Sequence, residues 1–368
     1  MRKKPEAFLS ELFMIKRLRP LFSWQFKQRG KLMKRAFFFS SSQRPSFNLA
    51  LEEVFFRSLS ELDLEGLSYF YVNQPSLIIG RSQNAFREID WLEAEKRGLP
   101  IVRRLSGGGA VYHDLSNLNF SFIEKRQEKL ILNFRAFLEP VLAYLQSLHI
   151  EAELSGPSDL RVKGRKISGN AQALDKEVIL EHGTLLFDSQ LDVLDTLLHH
   201  SQDGLISRSV ESKQAEVANL SDYLETPMSF KAFAQGLGHF LQSEQECLPL
   251  ASLDALLEKA AELEQSRYLT RAWNMERCAN FSLKREWRGW DFSLLVERGS
   301  ISKITGSVAA GDSSSALSNL LSASEAADIC QCLQSVRLFG PELLEALKFL
   351  DAADASSLLD SLFRPTKY

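Results

Sequence analysis

The stretch Arg103-Arg104-Leu105-Ser106-Gly107-Gly108-Gly109-Ala110-Val111-Tyr112-His113-Asp114 decides how this chain is read. Glycine weakens strands and helices, so three in succession require a cause. Backbone N–H groups left open by glycines make a concave anion site. Arginines beside it would add charge-assisted, bidentate hydrogen bonds to the same anion. The alternative is a surface turn next to a solvated arginine pair. The element after the glycines separates the nucleotide folds. Phosphate loops of the Gly-Lys-Ser/Thr kind and dinucleotide-binding glycines both open a helix. Here Leu118-Asn119-Phe120-Ser121-Phe122-Ile123 alternates with period two and predicts a strand. Leu99 to Arg104 reads as an edge strand that delivers the arginines to the loop. The order strand–glycines–strand disfavours both folds but keeps a nucleotide as a candidate ligand.

Outward from the loop, Ala36–Phe39, Leu67–Val72 and Ser76–Gly80 read as strands, the last two around an Asn73-Gln74-Pro75 turn. Ser46 is placed to cap a helix running to Phe56. Ile89–Arg97 reads as a short helix ended by Gly98, and Phe134–Leu148 as a helix with one apolar face. Asp159–Val162 and Lys166–Gly169 form a strand pair hinged at Lys163-Gly164-Arg165, and Glu177–Phe187 continues the sheet. From Leu191 to Gln242 the pattern reads as mostly helical. The fold class is α+β: mixed or antiparallel sheet with packed helices, followed by a small α+β C-terminal domain. In that last part Phe281–Lys284, Phe292–Val296 and Ile301–Ile304 read as strands, and Ser324–Leu338 and Pro341–Phe349 as helices. The expected boundaries are a basic, disordered extension over 1–32, a catalytic domain over 33–245, a helical linker over 246–266 and an accessory domain over 267–368.

Bulk properties exclude several classes. The 368 residues are 45% hydrophobic and 25% charged, as in soluble globular proteins, with no run long enough to span a membrane. The net charge of −3 hides an asymmetry: residues 1–35 carry +9, the remainder −12. Nothing beyond that basic tail suggests nucleic acid. The tail is acid-poor, as a mitochondrial presequence is, but the expectation is a cytoplasmic protein, with mitochondrial import as the alternative. The four cysteines (Cys247, Cys278, Cys330 and Cys332) all lie beyond residue 246 and read as reduced thiols. No Cys/His spacing suits zinc.

Three blocks resemble the lipoate–protein ligase family, long form, of the biotin/lipoate ligase fold. They are Phe47-Asn48-Leu49-Ala50-Leu51-Glu52-Glu53, the stretch from Arg103 to Asp114 continued by Asn119-Phe120-Ser121-Phe122, and Gly164-Arg165-Lys166-Ile167-Ser168-Gly169-Asn170-Ala171 followed by His182-Gly183-Thr184-Leu185-Leu186. The likeness covers roughly 33–245, with a weaker extension through Trp273-Asn274 and the Phe281-Ser282 strand. Ser116 and Asn170 depart from the commonest wording. The resemblance implies an ATP-dependent ligase that activates lipoate as lipoyl-AMP with Mg2+. It then passes the lipoyl group to a lysine on carrier domains of 2-oxoacid dehydrogenase E2 subunits or the glycine cleavage H protein.

By resemblance, Lys166 is the catalytic cation and touches both ATP and lipoate. Arg104, Gly109, Ala110, Val111 and Tyr112 hold the ATP or adenylate phosphate. Arg81, His182, Gly107 and Gly108 line the lipoate pocket, and Asp159 is a candidate Mg2+ ligand. Spacing alone does not choose between Lys163 and Lys166; the family pattern does. A monomer is expected. Two rivals remain. One is an octanoyl or lipoyl transferase, which needs a cysteine nucleophile. The other is a non-catalytic relative that binds lipoyl-AMP.

Overall fold

A computed structural model describes residues 34–198, 204–213, 215–242, 246–247, 250–308, 321–338 and 341–363. The basic extension expected over 1–32 lies outside them. The first half contains strand β1 (Arg35–Phe39), helix α1 (Pro45–Ser58), β2 (Gly66–Tyr71), β3 (Ser76–Ile79), α2 (Ala85–Glu88), α3 (Trp91–Lys96), β4 (Ile101–Arg103), β5 (Val111–His113) and β6 (Asn117–Lys125). Then come α4 (Phe134–Ser147), β7 (Ala152–Ser155), β8 (Asp159–Val162), β9 (Arg165–Leu174), β10 (Val178–Leu186), α5 (Leu191–Leu198), β11 (Leu205–Ser207) and α6 (Phe230–Leu241). The chain continues through β12 (Glu246–Cys247), α7 (Leu250–Leu263), α8 (Arg271–Asn274), β13 (Phe281–Trp287), β14 (Trp290–Glu297), β15 (Ser300–Val308), α9 (Ala323–Leu333), α10 (Pro341–Ala346) and α11 (Ala352–Phe363).

Three sheets result, with strand orders β12-β1-β2-β6-β10-β9-β8-β7, β4-β3-β5 and β11-β13-β14-β15. The large sheet is mixed, because β1 pairs in parallel with β2 while β6, β10 and β9 pair antiparallel. Strand alternation decides its two faces. Leu67, Tyr69 and Tyr71 pack with Leu49, Val54 and Phe55 of α1 and with Leu256 and Ala260 of α7. Phe70 faces the opposite way, with Phe120, Ile167 and Ile179, against Phe137 and Leu138 of α4 and Phe233 of α6. The small sheet β4-β3-β5 shares one apolar cluster with the C-terminal region: Leu77, Ile79, Phe86 and Trp91 pack with Phe281, Trp290 and Phe363.

Two local expectations are corrected. Ser46 does not cap α1; the helix starts at Pro45 with no side-chain cap, and Ser46 Oγ donates instead to Glu264 Oε1 at 2.6 Å. Proline at the first turn sets the entry angle, since its missing N–H would have been unpaired there. The stretch 191–242 is less helical than its composition suggests. Between β11 and the 3-10 turn Leu220–Tyr223 the described residues contain no helix and form a strap that bonds to Lys166 and to the segment ahead of α2.

β10 carries one polar misfit. Glu181 is fully buried on the face shared by Ile179 and Leu185, and neither carboxylate oxygen has a hydrogen-bond partner. Burial pushes its carboxyl well above the usual range, with the nearby Gln172 acting in the opposite direction. A carboxyl raised in the folded state contributes stability that is full below the unfolded pKa and is lost as pH rises towards the folded one. Glu181→Gln should therefore be more stable than the parent at neutral pH, by about 1–3 kcal/mol, and the difference should shrink as pH falls to 4. Urea midpoints across that range check this; a pH-independent difference would refute it.

Candidate active site

The two arginines that open the glycine loop point to opposite sides, because neighbours on a strand alternate. Arg103 is fully buried and meets no carboxylate. Its Nε donates to Trp273 O (2.9 Å), Nη1 to Gly80 O (2.9 Å) and Gln83 O (2.7 Å), and Nη2 to Asn274 O (2.8 Å). Trp273 Nε1 returns a bond to Arg103 O at 2.7 Å. Arg103 thus ties β4 to α8 rather than holding an anion beside the glycines.

Arg104 turns into the loop. Its Nη2 donates to Gly107 O (2.6 Å) and Gly109 O (2.7 Å), and its Nε to Ser106 Oγ (3.1 Å). Burial lowers both guanidinium pKa values to about 10, with Glu52 opposing the shift at Arg104. With its carbonyls drawn inward onto Arg104, the loop bends at Gly108, whose φ is +87°. Gly80 must also be glycine: a Cβ there would lie 2.2 Å from Gly108 O.

Beneath the loop, Glu52 of α1 reaches His182 of β10. Glu52 Oε2 lies 2.9 Å from Nδ1, and Ser106 Oγ lies 2.5 Å from Nε2. The order hydroxyl–imidazole–carboxylate is that of a hydrolase triad. Ser106, however, is 1% exposed and receives the Arg104 Nε bond, so the set pins the loop to β10 instead of presenting a nucleophile.

Two cavity lobes meet at this loop. One, of about 510 Å³, is lined by Arg104, Gly108, Gly109, Ala110, Val111, His113, Asp159, Lys166 and His182, and also by Leu49, Tyr71 and Ile78. The other, of about 410 Å³, is lined by Tyr112, Thr184, Leu194, Leu198 and Val217 and shares Ala110, Val111 and Lys166 with the first. Lys166 sits at the junction. Its Nζ is 2.9 Å from Asp159 Oδ1, while Asp159 Oδ2 accepts from Arg161 at 3.2 Å. Its backbone N donates to Glu216 O (2.8 Å), and its O accepts from Ala218 N (2.9 Å).

The strap also reaches the glycines: Ser212 Oγ accepts from Ala110 N (2.8 Å) and Gln83 Nε2 (3.0 Å), while Ser212 N donates to Glu88 Oε2 (3.0 Å). Burial raises the Glu88 carboxyl pKa.

Of the residues expected from sequence, Lys166, Arg104, Gly108, Gly109, Ala110, Val111, Tyr112, His182 and Asp159 come together around the two lobes. Arg81 and Gly107 are exposed and line neither. Glu52, Ser106, His113 and Ser212 were not singled out as site residues. Their partners are distant in sequence, so no local pattern marks them. Among the described residues no group of three His, Cys, Asp or Glu side chains could hold a metal ion, and no cysteine lines either lobe. Cys247 pairs with Phe37 on the outermost strand of the large sheet. No described helix is long and apolar enough to cross a membrane.

Replacing Arg104 by Lys keeps the charge but removes the planar fork, leaving loop carbonyls without donors. We expect a loss of about 3 kcal/mol in urea unfolding and faster amide exchange across Ser106–Ala110. An unchanged midpoint would mean that charge alone shapes the loop.

The chain is similar to proteins of known kind. The family model described as the Lipoyl protein ligase A/B catalytic domain matches residues 44–241. The chain is 42% identical to the lipoate-protein ligase LplJ of Bacillus subtilis over 265 residues, 70% of this chain and 79% of that one. Two solved structures cover 67% of this chain and 99% of their own at 26% identity: a T. acidophilum protein with lipoic acid bound, at a TM-score of 0.54, and a lipoate-protein ligase A with ATP bound, at 0.55. By sequence and fold, the chain belongs to the lipoyl protein ligase A/B family.

Proposed function

We propose that this protein is an ATP-dependent lipoate–protein ligase that joins the carboxylate of lipoate to AMP and then transfers the lipoyl group to a lysine of a carrier domain. The observation that carries this is the position of Lys166, a cation shared by two lobes, the larger of them partly apolar in its lining, beside a glycine loop. In this reading the larger lobe takes the acyl chain, with its carboxylate towards Lys166. The smaller lobe takes the adenine and ribose, with Tyr112, Leu194 and Val217 as its walls. The α-phosphate lies between them, against the N–H groups of Gly109 to Val111.

The chemistry follows from the charges. A lipoate oxygen attacks the α-phosphorus, a new O–P bond forms and pyrophosphate leaves. Negative charge builds on the phosphoryl oxygens, and the Lys166 ammonium, fixed by its backbone bonds to the strap, stabilises it without reorganising. In the second step a carrier-lysine amine attacks the acyl carbonyl, an amide forms and AMP leaves with the electron pair.

Ser212 occupies the Ala110 N–H that this reading assigns to phosphate, so the strap must yield as nucleotide enters. Mg2+ belongs to this reading as the counter-ion of the triphosphate, with Asp159 as the carboxylate expected to meet it. Both Asp159 oxygens already serve cations, Lys166 and Arg161, and no group of three His, Cys, Asp or Glu side chains among the described residues could hold the ion. The carriers are the lipoyl domains of 2-oxoacid dehydrogenase E2 subunits and the glycine cleavage H protein, and the working form is a monomer. The transferase alternative requires a cysteine thiolate at the acyl group, and no cysteine is among the residues lining the lobes.

The full chain should catalyse lipoate-dependent ATP–pyrophosphate exchange. Lys166→Ala should reduce it by about 10²–10³-fold, the usual loss for one preorganised stabilising group, with little change in melting temperature. Undiminished exchange in the variant would remove Lys166 from its role. An enzyme acylated without ATP would favour the transferase.

A further inference from the structure

A cluster of arginines lies beside the glycine loop and has no task in the adenylation chemistry. Arg81 donates its backbone N–H to Ser106 O at 2.8 Å, while its side chain is exposed and lines neither lobe. The Arg103 guanidinium bonds both Arg81 O (3.4 Å) and Trp273 O (2.9 Å), which brings α8 next to Arg81. Two further guanidiniums lie over the Trp273 ring, Arg267 at 5.0 Å and Arg277 at 4.5 Å from its centroid. Arg267 continues to Glu53 Oε1 at 2.5 Å, and Arg57 reaches the same oxygen at 2.7 Å.

Glu53 does not balance this set. Burial works against its charge, but bonds from Tyr268, Arg267 and Arg57 hold its carboxyl below the ordinary range, so it is ionised and already paired. Arg81 and Arg277 are both exposed, and neither has a carboxylate in contact among the described residues. Burial, and then the charges of Arg81 and Arg267, lower the Arg277 pKa. Stacking on Trp273 accounts for where Arg277 lies. It does not account for like charges gathered without an acid between them. The setting makes the contrast sharper, since residues 36–368 carry a net charge of −12.

We propose that Arg81 and Arg277, backed by Arg267 and Arg57, dock an acidic protein surface that surrounds the acceptor lysine in the transfer step. The assignment rests on the ligase reading. An acceptor lysine has to approach a lobe lined by Lys166, Arg161 and Lys213, whose charges repel its ammonium. Carboxylates around that lysine offset the repulsion. The same carboxylates complement exposed guanidiniums beside the loop, and such complementarity sets orientation and the rate of encounter. With the body of the chain acidic, the cluster also directs that partner to this face and away from the others.

The test separates the two half-reactions of the full chain. Lipoate-dependent pyrophosphate exchange needs no acceptor, and transfer is followed with the apo lipoyl domain of a 2-oxoacid dehydrogenase E2 subunit. Arg277→Glu should raise the KM for the lipoyl domain about fivefold at low salt and leave exchange unchanged. It should also flatten the rise of that KM with salt, because screening then has less attraction to remove. Arg277→Lys keeps the charge and should keep the wild-type KM. An unchanged KM in Arg277→Glu overturns the assignment. So does an equal loss in the Glu and Lys variants, or a loss in exchange as large as that in transfer, since either marks a structural role. If Arg277→Glu does not fold, the wild-type protein decides: a lipoyl-domain KM that rises several-fold with salt supports docking, and a salt-independent KM overturns it. A wild-type protein without exchange would instead remove the ligase reading, and the docking surface with it.

Discussion

Burying a guanidinium with no carboxylate in contact with it is the constraint on which the rest of this structure depends. Such a cation is tolerated only when nearly every N–H meets an oxygen. Arg103 and Arg104 meet that demand with backbone carbonyls, and carbonyls belong to particular stretches of chain. Arg103 gathers those of Gly80, Gln83, Trp273 and Asn274. Arg104 gathers those of Gly107 and Gly109. The first set holds the small sheet against the C-terminal region. The second rolls the loop so that its carbonyls face inward and its N–H groups remain for a ligand. The cradle is therefore shaped by Arg104, which also lines the larger lobe, and braced by Arg103, which lines neither.

Around that loop the site is made of contacts between segments far apart in the chain. Glu52 and His182 are 130 residues apart, and Ser212 lies 102 residues beyond the Ala110 amide it accepts from. Lys166 is steadied by backbone bonds to the strap and by Asp159 at its ammonium. A second set of buried carboxylates joins α1 to the C-terminal region: Glu53 accepts from Tyr268 at 2.7 Å and from Arg267 at 2.5 Å. The helix that supplies Glu52 to the site is held from behind by its neighbour in sequence.

What could be read from the sequence was whatever is local. The strand–glycines–strand order, the hairpin carrying Lys166 and the alternating faces of β2, β6 and β10 depend on neighbouring residues and were legible. The separate tasks of Arg103 and Arg104 were not, because two adjacent arginines look alike until alternation sends them to opposite faces. The strap was misread as helical because its apolar residues are too sparse to set a period and its bonds go to Lys166 and Ala110, not to itself. Ser46 has the chemistry of a cap and a cap's position, yet a buried carboxylate 218 residues away claims it.

β11 pairs with β13, so a strand from within the family-matched portion forms the edge of the C-terminal sheet. Phe86 and Trp91 also pack on Phe363. The match to the family model ends at residue 241, but the packing does not. A chain cut there would lose the partner of β11, the oxygens of Trp273 and Asn274 that neutralise Arg103, and the cover over Phe86. The family model stops at one place in the chain, while the hydrogen bonds and apolar contacts run across it.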